Sequence, residues 1–244
     1  LRERYADIVS HIDDLAGLYQ VLRQARDERG ALEFDTVETR MVFDQFSKID
    51  QIVPVERNDA HKLIEECMLC ANVATAEFLL KSGMPALFRI HEGPKEEKLI
   101  ALRDYLSVLG LSIGGGLKPT PDDYAALSAD IQGRSDARSI QTMILRSMSQ
   151  AVYSPDNLGH FGLNYEAYTH FSSPIRRYPD LLVHRAIRYL IRGEGRPKLR
   201  QAIRVAGSDE LKAKKIYGYD EADMDGFGES CSITERRADE ATRD

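Results

Sequence analysis

The sequence predicts an α+β chain, rich in helix and carrying only a few short strands. Apolar residues recur at helical spacing through most of the 244 residues. Partial alternation is confined to short runs, and glycine and proline punctuate the boundaries between them.

Ile8, Ile12, Leu15, Tyr19 and Leu22 lie at helical spacing, and Gly30 follows the charged run Arg26-Asp-Glu-Arg29, so residues 3–29 read as one long helix whose apolar face needs a partner. Residues 32–55 are richer in β-branched and aromatic types. Arg40–Asp44 and Gln51–Val55 read there as two strands joined near Ser47. Between Asn58 and Lys81 the positions Leu63, Cys67, Cys70, Ala71, Ala74 and Phe78 share a helical face, and Ser82-Gly83 followed by Pro85 ends that helix. A short strand at Ala86–Ile90 precedes helices near 94–109, 121–131 and 135–149, the first two separated by Gly114-Gly-Gly116. Residues 151–173 mix aromatics, glycine and histidine without periodicity, as a functional loop does. Pro174 then opens a helix to about Arg192, with Ile175, Tyr178, Leu182, Ala186 and Tyr189 on its buried stripe. The charged, glycine-rich span Gly193–Gly228 reads as mobile.

A hydrophobic content of 43% suits a globular fold, and no stretch reaches the roughly 18–20 apolar residues of a membrane span. Three cysteines argue against a disulfide framework and for a reducing, cytoplasmic setting. The net charge of −6 disfavours a non-specific polyanion binder, but leaves room for a local basic groove. The chain opens inside an amphipathic helix, and Ile233–Asp244 ends without a helix terminator, so the sequence reads as a piece of a longer protein.

The densest chemical signal is His170-Phe-Ser-Ser-Pro-Ile-Arg-Arg-Tyr-Pro-Asp180. Ser173 suits an N-cap and Pro174 the first helical position, which puts Arg176 and Arg177 in a first turn whose free N–H groups attract phosphate. Two arginines there oppose the helix dipole unless an anion answers them. A surface pair between Arg176 and Asp180 is the plainer alternative. Tyr165, Tyr168, His170 and Phe171 tip the balance toward nucleic acid, because flat rings beside guanidinium groups suit stacked bases and held phosphates.

Other constellations read as ordinary structure. Cys67 and Cys70 form C-x-x-C but lack a second pair at ligand spacing, and fit a core face better than zinc. Asp13-Asp14 and Asp122-Asp123 lie in helical patterns where adjacent side chains diverge, so they read as surface acids and a helix cap. Glu65 and Glu66 read as solvated charge, and none of the six histidines forms a triad with a serine or cysteine.

Arg57–Met68, Gly159-His-Phe-Gly-Leu163 and Ser173–Arg185 resemble the ribonuclease II family (RNB) catalytic domain, and Thr234–Asp244 extends the likeness to nearly the whole chain. The resemblance covers only the C-terminal half of that domain, so the fold expected is its helix-rich half. It implies a processive 3′-to-5′ exoribonuclease that hydrolyses single-stranded RNA to nucleoside 5′-monophosphates. Magnesium would be held by an aspartate cluster in a preceding segment, with cold-shock-like and S1 domains flanking the whole. Arg176 maps to the catalytic arginine, Phe34 to the aromatic clamp on the terminal bases, and Glu65 or Glu66 to the glutamate near the end nucleotides. Tyr168, His170, Ser173 and Arg177 are further candidate RNA contacts, Arg177 either holding the next phosphate or bracing the loop. Without the metal-binding half the isolated chain is expected to be inactive. The rival readings are a non-catalytic RNA-binding or scaffold module and a structural helical domain with internally paired arginines.

Overall fold

The computed structural model describes residues 4–32, 39–55, 57–192 and 219–241. The expected helix-rich α+β architecture is present. In chain order it comprises α1 (Ala6–Glu28), β1 (Thr39–Phe43), β2 (Ile49–Pro54), α2 (Asp59–Ser82), β3 (Phe88–Ile90), α3 (Glu96–Val108), α4 (Pro121–Asp130), α5 (Ala137–Ser147), β4 (Val152–Ser154), a 3-10 turn (Phe161–Leu163), α6 (Tyr178–Ile191) and α7 (Glu221–Ala241).

Local chemistry sets the helix ends. Asn58 caps α2 through the His61 N–H while the His61 ring accepts from the Asn58 N–H, and Gly83, at φ 62°, closes it in the left-handed conformation. Thr120 and Asp123 form the equivalent box on α4, with Pro121 in the first turn. That box holds the Asp123 carboxyl below the usual carboxylate range, chiefly through the Thr120 N–H. The capping role expected for this acidic pair therefore falls to Asp123.

β1 and β2 form an antiparallel hairpin with Met41 opposite Ile52 and Arg40 opposite Val53, turning through Ser47 at φ 60°. β3 pairs antiparallel with β4, Phe88 opposite Ser154 and Ile90 opposite Val152. One apolar core lies among α3, α4 and α5, built from Leu99, Leu102, Leu106, Tyr124, Leu127, Ile131, Ile140 and Ile144. A second joins the end of α2 to the residues just before β3, to β4, α6 and α7 through Leu79, Leu87, Tyr153, Leu182, Ala186, Leu190 and Met224. α7 lies flush on β4, since a Cβ on Gly228 would come within 2.7 Å of the Tyr153 carbonyl oxygen. Ser232 Oγ accepts from the Tyr153 N–H at 2.9 Å in the same contact.

Four expectations need correction. The span expected to be mobile includes Glu221–Gly228, which is the start of α7; residues 193–218 lie outside the described residues. In α1 the stripe is buried only at Tyr19, while Ile8, Ile12 and Leu15 are exposed. The inward face of α2 is Glu66, Leu69, Asn72, Thr75, Ala76 and Leu79, rotated from the apolar stripe, and Cys70 is exposed. The fourth concerns the helix after Arg177, described next.

Candidate nucleic-acid interface

Ser173-Pro-Ile-Arg-Arg177 is a turn, and α6 starts only at Tyr178. Two prolines compete to open this helix. Starting it at Pro174 would put Pro179 in the interior, where its ring meets the carbonyl one turn back and no N–H is available. Starting it at Tyr178 puts Pro179 in the first turn, where both costs vanish. Ile175 consequently points to solvent, and Tyr178 is exposed as well.

Ser173 is an anchor and not a cap. Its N–H donates to Asp180 Oδ1 at 2.7 Å, and its carbonyl accepts from the Arg176 and Arg177 N–H groups at 3.3 and 3.1 Å. Arg177 Nη2 donates to the same Asp180 oxygen at 2.8 Å, in a pair whose side chains are 18% and 0% exposed. Arg177 therefore braces the turn, and the pairing with Asp180 belongs to it and not to Arg176. The Arg176 side chain is exposed, with no carboxylate at ion-pair distance among the described residues.

Behind the turn stands a ladder of rings. Tyr165 and Tyr168 stack at 6.2 Å with 6° between planes, and the Arg29 guanidinium covers the Tyr165 ring at 3.9 Å. His160 and His170 set their edges against Tyr168, and Tyr153 Oη meets His170 Nδ1 at 2.8 Å. Burial governs the ionisation of this wall. It pushes the Tyr168 phenol up, the His160 imidazole down to about 3 with help from His91, and His170 down to about 2 with help from Arg177. Tyr168 is 6% exposed, so it and His170 form the wall of the site instead of the open stacking faces expected from sequence.

α2 supplies the opposite side. Glu66, expected to be solvated, is 5% exposed and accepts from Arg26 Nη1 at 2.6 Å. Glu65 is more open and pairs with Arg57, with Arg26 at 3.6 Å. Asn72 is buried, a residue that sequence reasoning missed; its Oδ1 accepts from the Phe171 and Ser172 N–H groups at 2.9 and 3.1 Å, and its Nδ2 donates to Tyr168 Oη at 2.9 Å. An asparagine set in the apolar middle of a helix was the available signal. Arg89, also missed, bonds Glu235 of α7 at 2.6 Å and lies over the Tyr153 ring at 4.6 Å. Phe34, the expected base clamp, lies outside the described residues.

Grooves of about 540 and 640 Å³ flank Tyr165 and share Asn157, Asn164 and Glu166 in their linings. Arg176 lines neither of them. Among the described residues no grouping of three or more His, Cys, Asp or Glu side chains could hold a metal ion. The magnesium implied by the resemblance therefore finds no cage among these residues. No described helix is long and apolar enough to cross a membrane.

The chain is similar to known proteins in sequence and in fold. The chain is 56% identical over 245 residues to Ribonuclease R of Vibrio parahaemolyticus, spanning 100% of this chain and 28% of that protein. It is 48% identical over 244 residues to Ribonuclease R of Escherichia coli, spanning 29% of it. The chain thus covers under a third of the length of these relatives. The solved structure of Mycoplasma genitalium RNase R in complex with ribose methylated single-stranded RNA shares the fold, with a TM-score of 0.81 at 23% identity over 97% of this chain and 35% of that one. A more distant likeness in fold is to yeast Ssd1, a pseudonuclease, with a TM-score of 0.54 at 24% identity over 72% of this chain and 20% of that one. The RNB domain model matches residues 2–193, and the chain belongs to the RNB domain family.

Proposed function

We propose that this chain is part of a processive, cytoplasmic 3′-to-5′ exoribonuclease that hydrolyses single-stranded RNA to nucleoside 5′-monophosphates, and that Arg176 grips the phosphate under attack. One observation carries the reading. Of two adjacent arginines on one turn, Arg177 is neutralised internally by Asp180, while Arg176 is held out with its fork open. A guanidinium so placed can bond two phosphate oxygens and keeps its proton throughout. It offsets negative charge growing on the phosphoryl oxygens as the bond to the leaving nucleotide breaks. Phe34 would stack on the terminal bases, a contact tolerant of sequence, and Glu65 would lie nearer the RNA than Glu66, which is committed to Arg26. Hydrolysis also needs an activated water, and the described residues contain no metal cage to supply one. The parent protein would provide it, together with cold-shock-like and S1 domains that flank the catalytic part.

The fold alone leaves room for a non-catalytic RNA-binding module, because the yeast pseudonuclease shares it. Activity separates the two readings. In the full-length ribonuclease carrying this chain, Arg176→Ala lowers the rate of monophosphate release about 100- to 1000-fold while the thermal midpoint stays put. The isolated chain, given magnesium and single-stranded RNA, releases none. Full turnover by Arg176→Ala, or robust release by the isolated chain, refutes the assignment.

A further inference from the structure

Arg176 projects from a turn that leaves no slack, and the ties that hold it come from two elements far apart in sequence. Three consecutive N–H groups, those of Phe171, Ser172 and Ser173, are each bound by a side chain, the first two by Asn72 Oδ1 and the third by Asp180 Oδ1. On the other side of this segment His184 Nε2 meets the Phe171 carbonyl at 2.9 Å, and its ring stacks on the Phe171 ring at 4.2 Å. The Arg176 and Arg177 N–H groups close back onto the Ser173 carbonyl. Backbone N–H groups taken from water need partners, and a run of three met by side chains fixes the chain path more tightly than solvent would.

Asn72 is the member of this set with the widest reach. It is 2% exposed, stands on the inward face of α2 about 1.7 turns beyond Glu66, and ties the ring ladder to the turn by bonding Tyr168 with its amide and the 171–172 backbone with its carbonyl. Its amide group thereby links the wall behind the site to the arginine in front of it. A buried asparagine at this point does nothing for apolar packing, and its three hydrogen bonds all run to the segment that carries Arg176 or to the wall behind it.

We propose that Asn72 is a positioning residue of the nuclease, setting the height and direction of Arg176 by fixing the Phe171–Ser173 backbone. The inference rests on the reading of Arg176 as the phosphate-gripping residue. Asn72 touches no substrate and acts through the turn. Asp180 holds the near end of the same turn, but it is also needed to neutralise Arg177, so Asn72 gives the cleaner test.

The test is a double-mutant cycle in the full-length ribonuclease carrying this chain, with turnover of single-stranded RNA measured at saturating substrate and KM measured separately. Asn72→Leu keeps the branched shape of the side chain and removes the bonds; it lowers kcat roughly 10- to 100-fold with KM changed less than about threefold, the cost expected of an ångström-scale misplacement. Asn72→Asp keeps an acceptor for both N–H groups and can accept from the Tyr168 hydroxyl, so it recovers most of that loss. In an Arg176→Ala background Asn72→Leu costs less than about threefold more. Thermal midpoints check folding, and Asn72→Ser, too short to reach the turn, carries the same expectation as Asn72→Leu where the latter does not fold. A folded Asn72→Leu or Asn72→Ser protein with native kcat overturns the inference, as does a loss of the same size in the Arg176→Ala background or no recovery by Asn72→Asp. Native turnover by Arg176→Ala alone removes the reading beneath it, and the inference falls with that reading.

Discussion

The unit formed by α3, α4 and α5 and the region where α2 faces the 165–180 segment are both buried, yet their interiors are opposites. The first is filled with Leu, Ile, one Met and one Tyr, and the second with Glu66–Arg26, Asn72, Asp180–Arg177 and a stack of tyrosines and histidines. Apolar side chains fill space and tolerate small displacements, whereas hydrogen bonds and ion pairs are lost within fractions of an ångström. The helical unit therefore supplies mass and rigidity, and the polar region fixes the direction of individual groups.

Removing apolar volume is the most damaging way to probe the first region. Leu106 is fully enclosed among α3, α4 and α5, and Leu106→Ala costs about 4 kcal/mol through lost burial plus the cavity left behind. Denaturant unfolding measures the cost, and RNA affinity of the molecules that remain folded is unchanged. A cost below about 1 kcal/mol would mean that the region is loosely packed and the contrast overstated.

The corresponding break in the polar region costs somewhat less and has a different remedy. Glu66→Ala takes away the shortest partner of a buried guanidinium, and destabilises by about 3 kcal/mol, moderated by Glu65 at 3.6 Å from Arg26. The pair Arg26→Met with Glu66→Leu recovers most of that stability, because a hydrophobic substitute removes both charges together. A double variant as unstable as Glu66→Ala would show that the ion pair itself, and not the avoidance of a stranded charge, sustains the fold.

This contrast also decides what was legible in the sequence. α3, α4 and α5 match the helical spacing closely, because their inward faces are the apolar positions and Pro121, Thr120 and Gly110 mark their ends. α2 misleads on its inward face, since Glu66, Asn72 and Thr75 lie there while Cys70 and Ala74 face out. Periodicity locates a helix but reports which face is buried only when burial and apolarity coincide. At the turn, Pro174 and Pro179 both satisfy local rules for a helix start; the cost of an interior Pro179 decides between them, and Asp180 and Asn72, the latter roughly a hundred residues upstream, hold the result in place. The motif carrying Arg176 and Arg177 was legible. Their division of labour was not, because it rests on which of them reaches Asp180.

The smallest effect concerns protons and separates the two regions without disturbing packing. His91, His160 and His170 all belong to the polar interior, and burial is the main cause lowering each one. Hydrogen bonds agree: His91 Nδ1 accepts from the Gly162 N–H at 2.9 Å and His160 Nδ1 accepts from the Leu163 N–H at 3.2 Å, which only neutral rings can do. In the unfolded chain a histidine takes up its proton near pH 6.5, whereas His160 and His170 in the folded chain resist down to about 3 and about 2. The unfolded state therefore binds more protons below pH 6.5. Their contribution to stability is complete above that pH and is lost progressively as pH falls toward the folded values, by up to about 1.4 kcal/mol per pH unit for each ring. His170→Asn puts an amide oxygen at the place of Nδ1 as an acceptor for Tyr153 Oη and removes one of these rings. Unfolding free energies measured between pH 5.5 and 4.5 should accordingly fall less steeply in the variant than in the parent, the difference approaching 1.4 kcal/mol per pH unit, about one proton. Parallel slopes would mean that water reaches His170 and that the ring ladder is not the dry wall on which the presentation of Arg176 depends.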